Sequence, residues 1–437
     1  MKIIALDIGS SFSKAAILDT ESESMEHLLR RPTPARDASK PQDCFECDPL
    51  AILSLAKALI DALIQREGHV SGIYISTQMH GVILEKDGKP VTPYLTWQDT
   101  RAQRQQEGVP LLEIIRQRIG EDAISHMGTR YKAGLALCSL TGYQKEHPID
   151  LSGVKFHTLG SFLIAHLGQE SRHACHITDA AATGFCHAEQ GDWNRGTIEA
   201  MGDSELTFPE IVPETQQQGH YRGIPLYPAI GDHQASVHGV CGSLERRAIL
   251  TVGTAGIVCA VSDEKSPVPT MELRPFFSGK TLLTLTRQPG GRAVDVIVGL
   301  FSDAASLLGQ ELSSQRAFEI LLSKEQQDRQ LLVIPDFYSG QGEGQILKIS
   351  PKNFKLTELF YATLDGLADS YAHAIARMEP HAGRFEGVLL SGGNLAKSEA
   401  LRCRVQRATG LPTICSQRED EALWGLMEIA KKNPIGA

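Results

Sequence analysis

Ile3-Ile4-Ala5-Leu6-Asp7-Ile8-Gly9-Ser10-Ser11-Phe12-Ser13-Lys14-Ala15-Ala16-Ile17-Leu18 is the stretch on which the fold turns. Two apolar runs of strand length flank a turn of small residues, which reads as a β-hairpin. The same grammar returns at Ala248-Ile249-Leu250-Thr251-Val252, then Gly253-Thr254-Ala255-Gly256, then Ile257-Val258-Cys259-Ala260-Val261. After the first hairpin, Asp48 caps a helix with Pro49 at its first position, and Ala56, Leu59, Ile60, Leu63 and Ile64 keep helical spacing up to Gly68. Gly72-Ile73-Tyr74-Ile75-Ser76 is the next strand. In the second half Thr357 reads as the cap of a long helix with one apolar stripe: Phe360, Leu364, Leu367, Tyr371, Ile375 and Met378. Val388-Leu389-Leu390 is then a strand opening into Ser391-Gly392-Gly393-Asn394. A helix capped by Ser398 runs to Gly410, and a last helix carries Leu423, Trp424, Met427 and Ala430.

Alternating strands and helices indicate an α/β protein. A chain of 437 residues exceeds one core, since cores stop growing at roughly 250–300 residues. Two similar halves, 1–240 and 241–437, joined between Gly239 and Arg247, are therefore expected to face each other across a cleft.

Composition narrows the function classes. Lys and Arg number 43 against 52 Asp and Glu, a formal net charge of -9, which disfavours nucleic acid or an anionic membrane as partner. No apolar run has the length of a signal peptide or a membrane span, so a cytoplasmic protein is expected. The 9 cysteines form no disulfide-like framework. Cys44 and Cys47 are read as loop residues ahead of Asp48-Pro49 rather than a redox or zinc pair, and His173-Ala-Cys175-His176 as a loop or strand start.

Three turns of small residues follow strands: Gly9-Ser10-Ser11, Gly253-Thr254-Ala255-Gly256 and Gly392-Gly393-Asn394. Such turns let backbone N–H groups approach phosphate oxygens, and their hydroxyls add donors. None has Walker or dinucleotide-fingerprint spacing. Asp7, at the end of the first strand, can hold the hydrated Mg²⁺ that accompanies nucleotide phosphates. Lys14 can neutralise phosphate charge or be a solvated strand residue. Gln78-Met79-His80-Gly81 and Trp97-Gln98-Asp99-Thr100-Arg101 offer the planar polar groups and aromatic surface that suit a polyol. Asp99 with Arg101 also reads as a structural ion pair, and His80 as a core histidine. Asp232, in Gly231-Asp232-His233-Gln234, is either an Asx-type turn residue or a base able to deprotonate an attacking hydroxyl.

In this order the segments resemble the FGGY carbohydrate kinases, within the actin-like (ribonuclease H-like) ATPase fold. Asp7 to Lys14 resembles the first phosphate loop, Gln78 to Gly81 and Trp97 to Arg101 the sugar-binding segments, and Asp179-Ala180-Ala181 with Trp193-Asn194 a mid-domain stretch. Gly231 to Ser236 is similar to the catalytic loop, Thr251 to Gly256 to the second phosphate loop, and Ser391 to Asn394 to the adenosine segment. Sedoheptulokinases are resembled most and xylulokinases next. The resemblance implies transfer from ATP, with Mg²⁺, to a primary hydroxyl of a ketose. Asp232 would be the base. Gln78, Met79, His80, Trp97, Asp99, Arg101 and His233 would meet the sugar, and Ser10, Ser11, Lys14, Gly253, Thr254, Gly392, Gly393 and Asn394 the nucleotide. A kinase for another pentose, hexose or polyol, or a non-catalytic sugar or nucleotide sensor, is the alternative, and a homodimer is admitted. This chain departs from the family pattern at Ser10, at Ala255, at His233 and at Ser339 to Gly344, which stands where Gly-Glu-Arg-x-Pro is common.

Overall fold

The computed structural model describes residues 1–240, 246–324, 330–338 and 343–433. They group into two compact units: Met1–Gly242 with Lys265–Thr281 and Arg418–Ala437, and Ser243–Glu264 with Leu282–Gln417. The halves read from sequence, 1–240 and 241–437, differ from this division. Residues 265–281 and 418–437 belong with the first unit, because the chain returns to complete its core. The helix Glu421–Lys431 buries Leu423, Leu426 and Met427 and packs on the helix Asp232–Gly239 and the strand Lys2–Ile8.

In the first unit a five-stranded sheet runs Ile230–Gly231, Ile73–Thr77, Lys2–Ile8, Phe12–Asp19, Ser24–Pro32. Lys2–Ile8 pairs antiparallel with Phe12–Asp19 and parallel with Ile73–Thr77, which pairs parallel with Ile230–Gly231. Ile3, Ile4, Ala5, Leu6 and Ile8 are all buried, the near-continuous apolar run expected of a strand covered on both faces. In the second unit strands run Thr281–Gln288, Gly256–Ser262, Arg247–Val252, Gly387–Gly392, Thr413–Cys415. Arg247–Val252 again pairs antiparallel with the strand after it and parallel with a later one, here Gly387–Gly392. The repeated strand–turn–strand grammar thus becomes one topology used twice.

Local signals hold where a side chain can satisfy them. Asp48 accepts the Leu50 N–H at 2.9 Å to start the helix Pro49–Glu67, which Gly68 closes. Ser398 caps Glu399–Thr409, and Gly410 ends it. Thr357 is not a cap: the helix Leu356–Ala382 begins before it, with Lys355 in the cap position and no side-chain bond there. Gly231-Asp232 is not a turn, because a strand ends at Gly231 and a helix starts at Asp232. Cys47 lies in the short strand Glu46–Cys47, and Cys44 and Cys47 are buried free thiols. Burial pushes the Cys47 thiol up to about 11, which leaves it inert. Among the described residues no helix is long and apolar enough to cross a membrane. The segment 339–342, part of the departure from the family pattern, lies outside the described residues.

Candidate active site

Three strands of the first unit end at one level. Ile8 pairs with Thr77, and Thr77 with Gly231. The segments that leave these carboxyl ends are Gly9-Ser10-Ser11, Gln78-Met79-His80 and Asp232-His233, so residues 70 to 220 positions apart in sequence emerge side by side. Ligand sites of α/β sheets form at such strand ends. The Gln78 N–H donates to the Ile8 carbonyl at 2.9 Å, and Thr33 Oγ1 donates to the Gly9 carbonyl at 2.8 Å, which ties down the first loop. Ser10 and Ser11 are exposed on it.

Gly231 is required for space rather than for its backbone angles. A Cβ there would stand 2.2 Å from Met79 Sδ, so the approach to Asp232 and the segment after Thr77 interlock. Thr178 Oγ1 accepts the Gly231 N–H at 2.9 Å, and the His233 N–H donates to Asp232 Oδ1 at 2.7 Å. Burial, then the Asp7 carboxylate, raises the Asp232 carboxyl to about 7. Asp7 is raised by burial to about 6, and the Ser76 hydroxyl donates to its Oδ1 at 2.8 Å. Asp179 is held well above the carboxylate range by burial and by Asp232. Carboxyl groups kept near neutral pH by burial and by one another are what general acid–base chemistry needs.

Against Gly231, the residue before Asp232, lies a constriction of only about 10 Å³ lined by Met79, His80, Thr129, Gln234 and Arg274, among others. His80 Nδ1–H donates to the Ala182 carbonyl at 2.7 Å, and burial, with Lys132 and Arg274 nearby, keeps the ring neutral. Its Nε2 therefore carries the lone pair. Gln78 and Gln234 each have a buried amide oxygen with no hydrogen-bond partner.

The structure does not bring Asp99 and Arg101 to this pocket. Both are almost wholly buried, and Asp99 Oδ2 accepts from Arg101 at 2.8 Å and from the Phe45 N–H at 2.9 Å. Arg101 also bonds Glu46 at 2.6 Å and Glu146 at 3.3 Å. Their charges are consumed in an ion-pair network, the second of the two roles their sequence left open. Trp97 is exposed and is not among the pocket's lining residues either. Lys14 is paired with Asp420 at 2.6 Å, so its ammonium already has a carboxylate. Sequence reasoning missed Arg274, Glu272, Thr129 and Gln234. Only Gln234, two residues after Asp232, carried a signal of position; Arg274 lies 42 residues downstream of Asp232 in a strand of no distinctive pattern.

In the second unit, Val252 and Gly392 are register partners, and the Gly393 N–H donates to the Val252 carbonyl at 3.2 Å. Gly253-Thr254 and Gly392-Gly393-Asn394 therefore leave neighbouring strands together. Beside Thr254 and Ala255 a pocket of about 260 Å³ is lined by Arg287, Gly290, Arg292, Asp336 and Tyr338. The helix Gly291–Leu307 starts at its edge, with the Gly291 N–H on the Gly253 carbonyl.

Comparisons with known proteins agree with this arrangement. A human sedoheptulokinase is 22% identical over 480 residues, covering 98% of this chain and 97% of that protein. A xylulose kinase of Lactococcus lactis is 22% identical over 275 residues, 59% of this chain and 53% of that one. Among solved structures, a xylulose kinase from Rhodospirillum rubrum superposes with a TM-score of 0.85 at 17% identity, covering 99% of this chain and 89% of that one. A Plasmodium falciparum glycerol kinase with ADP gives 0.84 at 17% identity, over 98% and 88%. These likenesses show the actin-like ATPase fold. The model of the N-terminal domain of the FGGY family of carbohydrate kinases matches residues 2–237, more than half of the chain and the span that holds Asp7, His80 and Asp232, and on that match the chain belongs to this family of enzymes, which phosphorylate sugars with ATP.

Proposed function

We propose that the enzyme transfers the γ-phosphoryl group of ATP to a primary hydroxyl of a ketose, sedoheptulose-like or xylulose-like, with Asp232 as the general base. The observation that carries this is the Asp232 carboxyl itself: burial holds it at about 7, and it sits at a helix start directly after Gly231, which packs against Met79 and Gln234. A base with a pKa near the working pH is matched to taking a proton from an alcohol as that alcohol attacks. The His233 N–H holds the carboxylate in one rotamer. Met79 and His80 meet the sugar, with His80 Nε2 as an acceptor and Gln78 alongside. Ser10, Ser11, Gly253 and Thr254 would cradle phosphate, and Gly392, Gly393 and Asn394 the adenosine. Lys14 would reach phosphate only by leaving Asp420.

Asp7 fits a hydrated Mg²⁺: it offers a hard oxygen ligand, oriented by Ser76, at the start of the loop proposed for phosphate. Bound there, the ion would offset phosphate charge. A cytoplasmic setting supplies both ATP and free sugars, and a homodimer is compatible with this reading.

Asp232→Asn is the test. Turnover is expected to fall by about 10²-fold or more with KM for sugar and for ATP little changed. Near-normal kcat would remove the base. ADP release measured over ketoses, aldoses and polyols identifies the acceptor, and sugar-dependent release separates a kinase from a sensor.

A further inference from the structure

His176 closes the strand Ala174–His176 and caps the short helix Ile177–Ala180, where its Nδ1 accepts the Thr178 N–H at 3.3 Å. The Thr178 hydroxyl lies 2.8 Å from the same nitrogen. Because that nitrogen already accepts from a backbone N–H, the hydroxyl donates to it, which leaves the Thr178 oxygen only lone pairs to offer elsewhere. They take the Gly231 N–H at 2.9 Å. In the neutral ring the proton is then on Nε2, which lies 3.5 Å from Glu214 Oε2. His176 and Thr178 are buried, whereas Glu214 is partly exposed and lines a cavity of about 340 Å³ with His176, Phe276 and Ser278. The contacts thus run inward from that cavity, from Glu214 to His176 to Thr178 to Gly231, and each hydrogen bond among them has one sense.

Gly231 is where such a partner matters. Ile230–Gly231 is the edge strand of its sheet, and a buried backbone N–H at an edge needs an acceptor from outside the ladder. The helix that follows has Gly231 as its cap residue and no side-chain bond there. Besides its pairing with Thr77, the peptide ahead of Asp232 is held by the close fit of Gly231 against Met79 and by the bond from Gly231 to Thr178. Without that bond a buried N–H is left with no acceptor, and the peptide gains by turning toward another partner and carrying the Asp232 carboxyl with it.

We infer that Thr178 is a positioning residue for phosphoryl transfer: its hydroxyl, turned by His176 so that it can only accept from Gly231, sets where the Asp232 carboxylate stands against the attacking hydroxyl. This rests on the proposed reading of Asp232 as the base and deepens it. The hydroxyl acts through Gly231 rather than on the sugar, so its removal lowers turnover and leaves ground-state binding alone.

Thr178→Val keeps the shape of the side chain and removes the hydroxyl. It is expected to lower kcat by about 3–10-fold, the worth of one hydrogen bond, with KM for sugar and for ATP unmoved, and Thr178→Ser to retain wild-type kcat. On an Asp232→Asn background the same substitution should cost about 2-fold or less, because the group it positions is gone. In ¹⁵N-labelled full-length protein at pH 7, long-range ¹H–¹⁵N correlations are expected to show His176 protonated on Nε2 alone. Should Thr178→Val not fold, His176→Phe decides: it keeps a ring stacked on Phe277 and removes the nitrogen that takes the Thr178 proton, so kcat falls with both KM values unmoved. An equal loss of kcat on the wild-type and Asp232→Asn backgrounds overturns the inference and leaves Asp232 as the base. So does a raised KM for sugar at unchanged kcat, which would make Thr178 a sugar contact, a His176→Phe with wild-type kcat, or a His176 that carries a proton on Nδ1. Near-normal kcat in Asp232→Asn removes the base itself, and this role with it.

Discussion

Asp232 ionises against burial and against Asp7, and both opposing effects are measurable. Because the proposed base must be deprotonated to act, kcat/KM should rise with pH through about 7, the value to which the carboxyl is raised. Asp7→Asn removes one cause of that rise, so the acid limb of the profile should move to lower pH in this variant even though kcat also falls. A limb that stays in place would mean that Asp7 does not act on Asp232. The stability consequence has the opposite sign from an ordinary paired carboxylate. The folded pKa lies above the ordinary aspartate value of 3.8, so the folded state binds the proton more tightly, and stability is lost as pH rises from about 4 to about 7. Asp232→Asn should therefore melt at a higher temperature than the wild type at pH 8 and show no such gain at pH 4, by thermal scans at the two pH values. A site that costs stability to keep its base poised is a familiar trade in enzymes.

Elements, rather than single side chains, explain why Asp99 and Arg101 are engaged with each other and with other carboxylates. Asp99 and Arg101 come from one segment and Glu46 and Glu146 from two others, and together they close a largely buried network in which every charge has a partner. Removing one member of such a network typically costs about 3–5 kcal/mol, because the others stay buried and unpaired. Arg101→Met should accordingly lower stability by about that amount in denaturant titrations, while the folded fraction keeps its KM for sugar; a raised KM with unchanged stability would return Arg101 to the pocket. The helices Asp232–Gly239 and Glu421–Lys431 make a second such point. A Cβ at Gly425 would stand 1.9 Å from the Ala235 carbonyl, and one at Gly239 equally close to the Glu421 carbonyl, so backbone packs on backbone where they cross. Gly425→Val should push the helix Asp232–Gly239 off its seat, costing stability and kcat together.

At the scale of the whole molecule the chain order does not follow the two units. The first unit needs residues 265–281, which bring Arg274 to the pocket that His80 lines, and residues 418–437, which bring the helix under Asp232. A polypeptide ending at residue 240 should therefore lack fixed tertiary structure, seen as a lost near-ultraviolet circular dichroism signal with much of its far-ultraviolet signal kept. Cooperative folding of that fragment would show the two returning segments to be dispensable.

The sequence by itself determined the repeated strand–turn–strand topology, the caps at Asp48 and Ser398, and the candidacy of Asp7, His80 and Asp232. All of these follow from local pattern: apolar runs, small-residue turns and carboxylates at strand ends are written in adjacent residues. Tertiary structure alone decided the rest. Whether Asp99 and Arg101 face a sugar or each other depends on Glu46 and Glu146, 53 and 47 residues from Asp99. Lys14 is paired with Asp420, and His233 Nδ1 lies against Arg274 Nη1. Partners brought together by the fold leave no period or motif in the chain, because a charge or a ring nitrogen takes its role from what is buried against it.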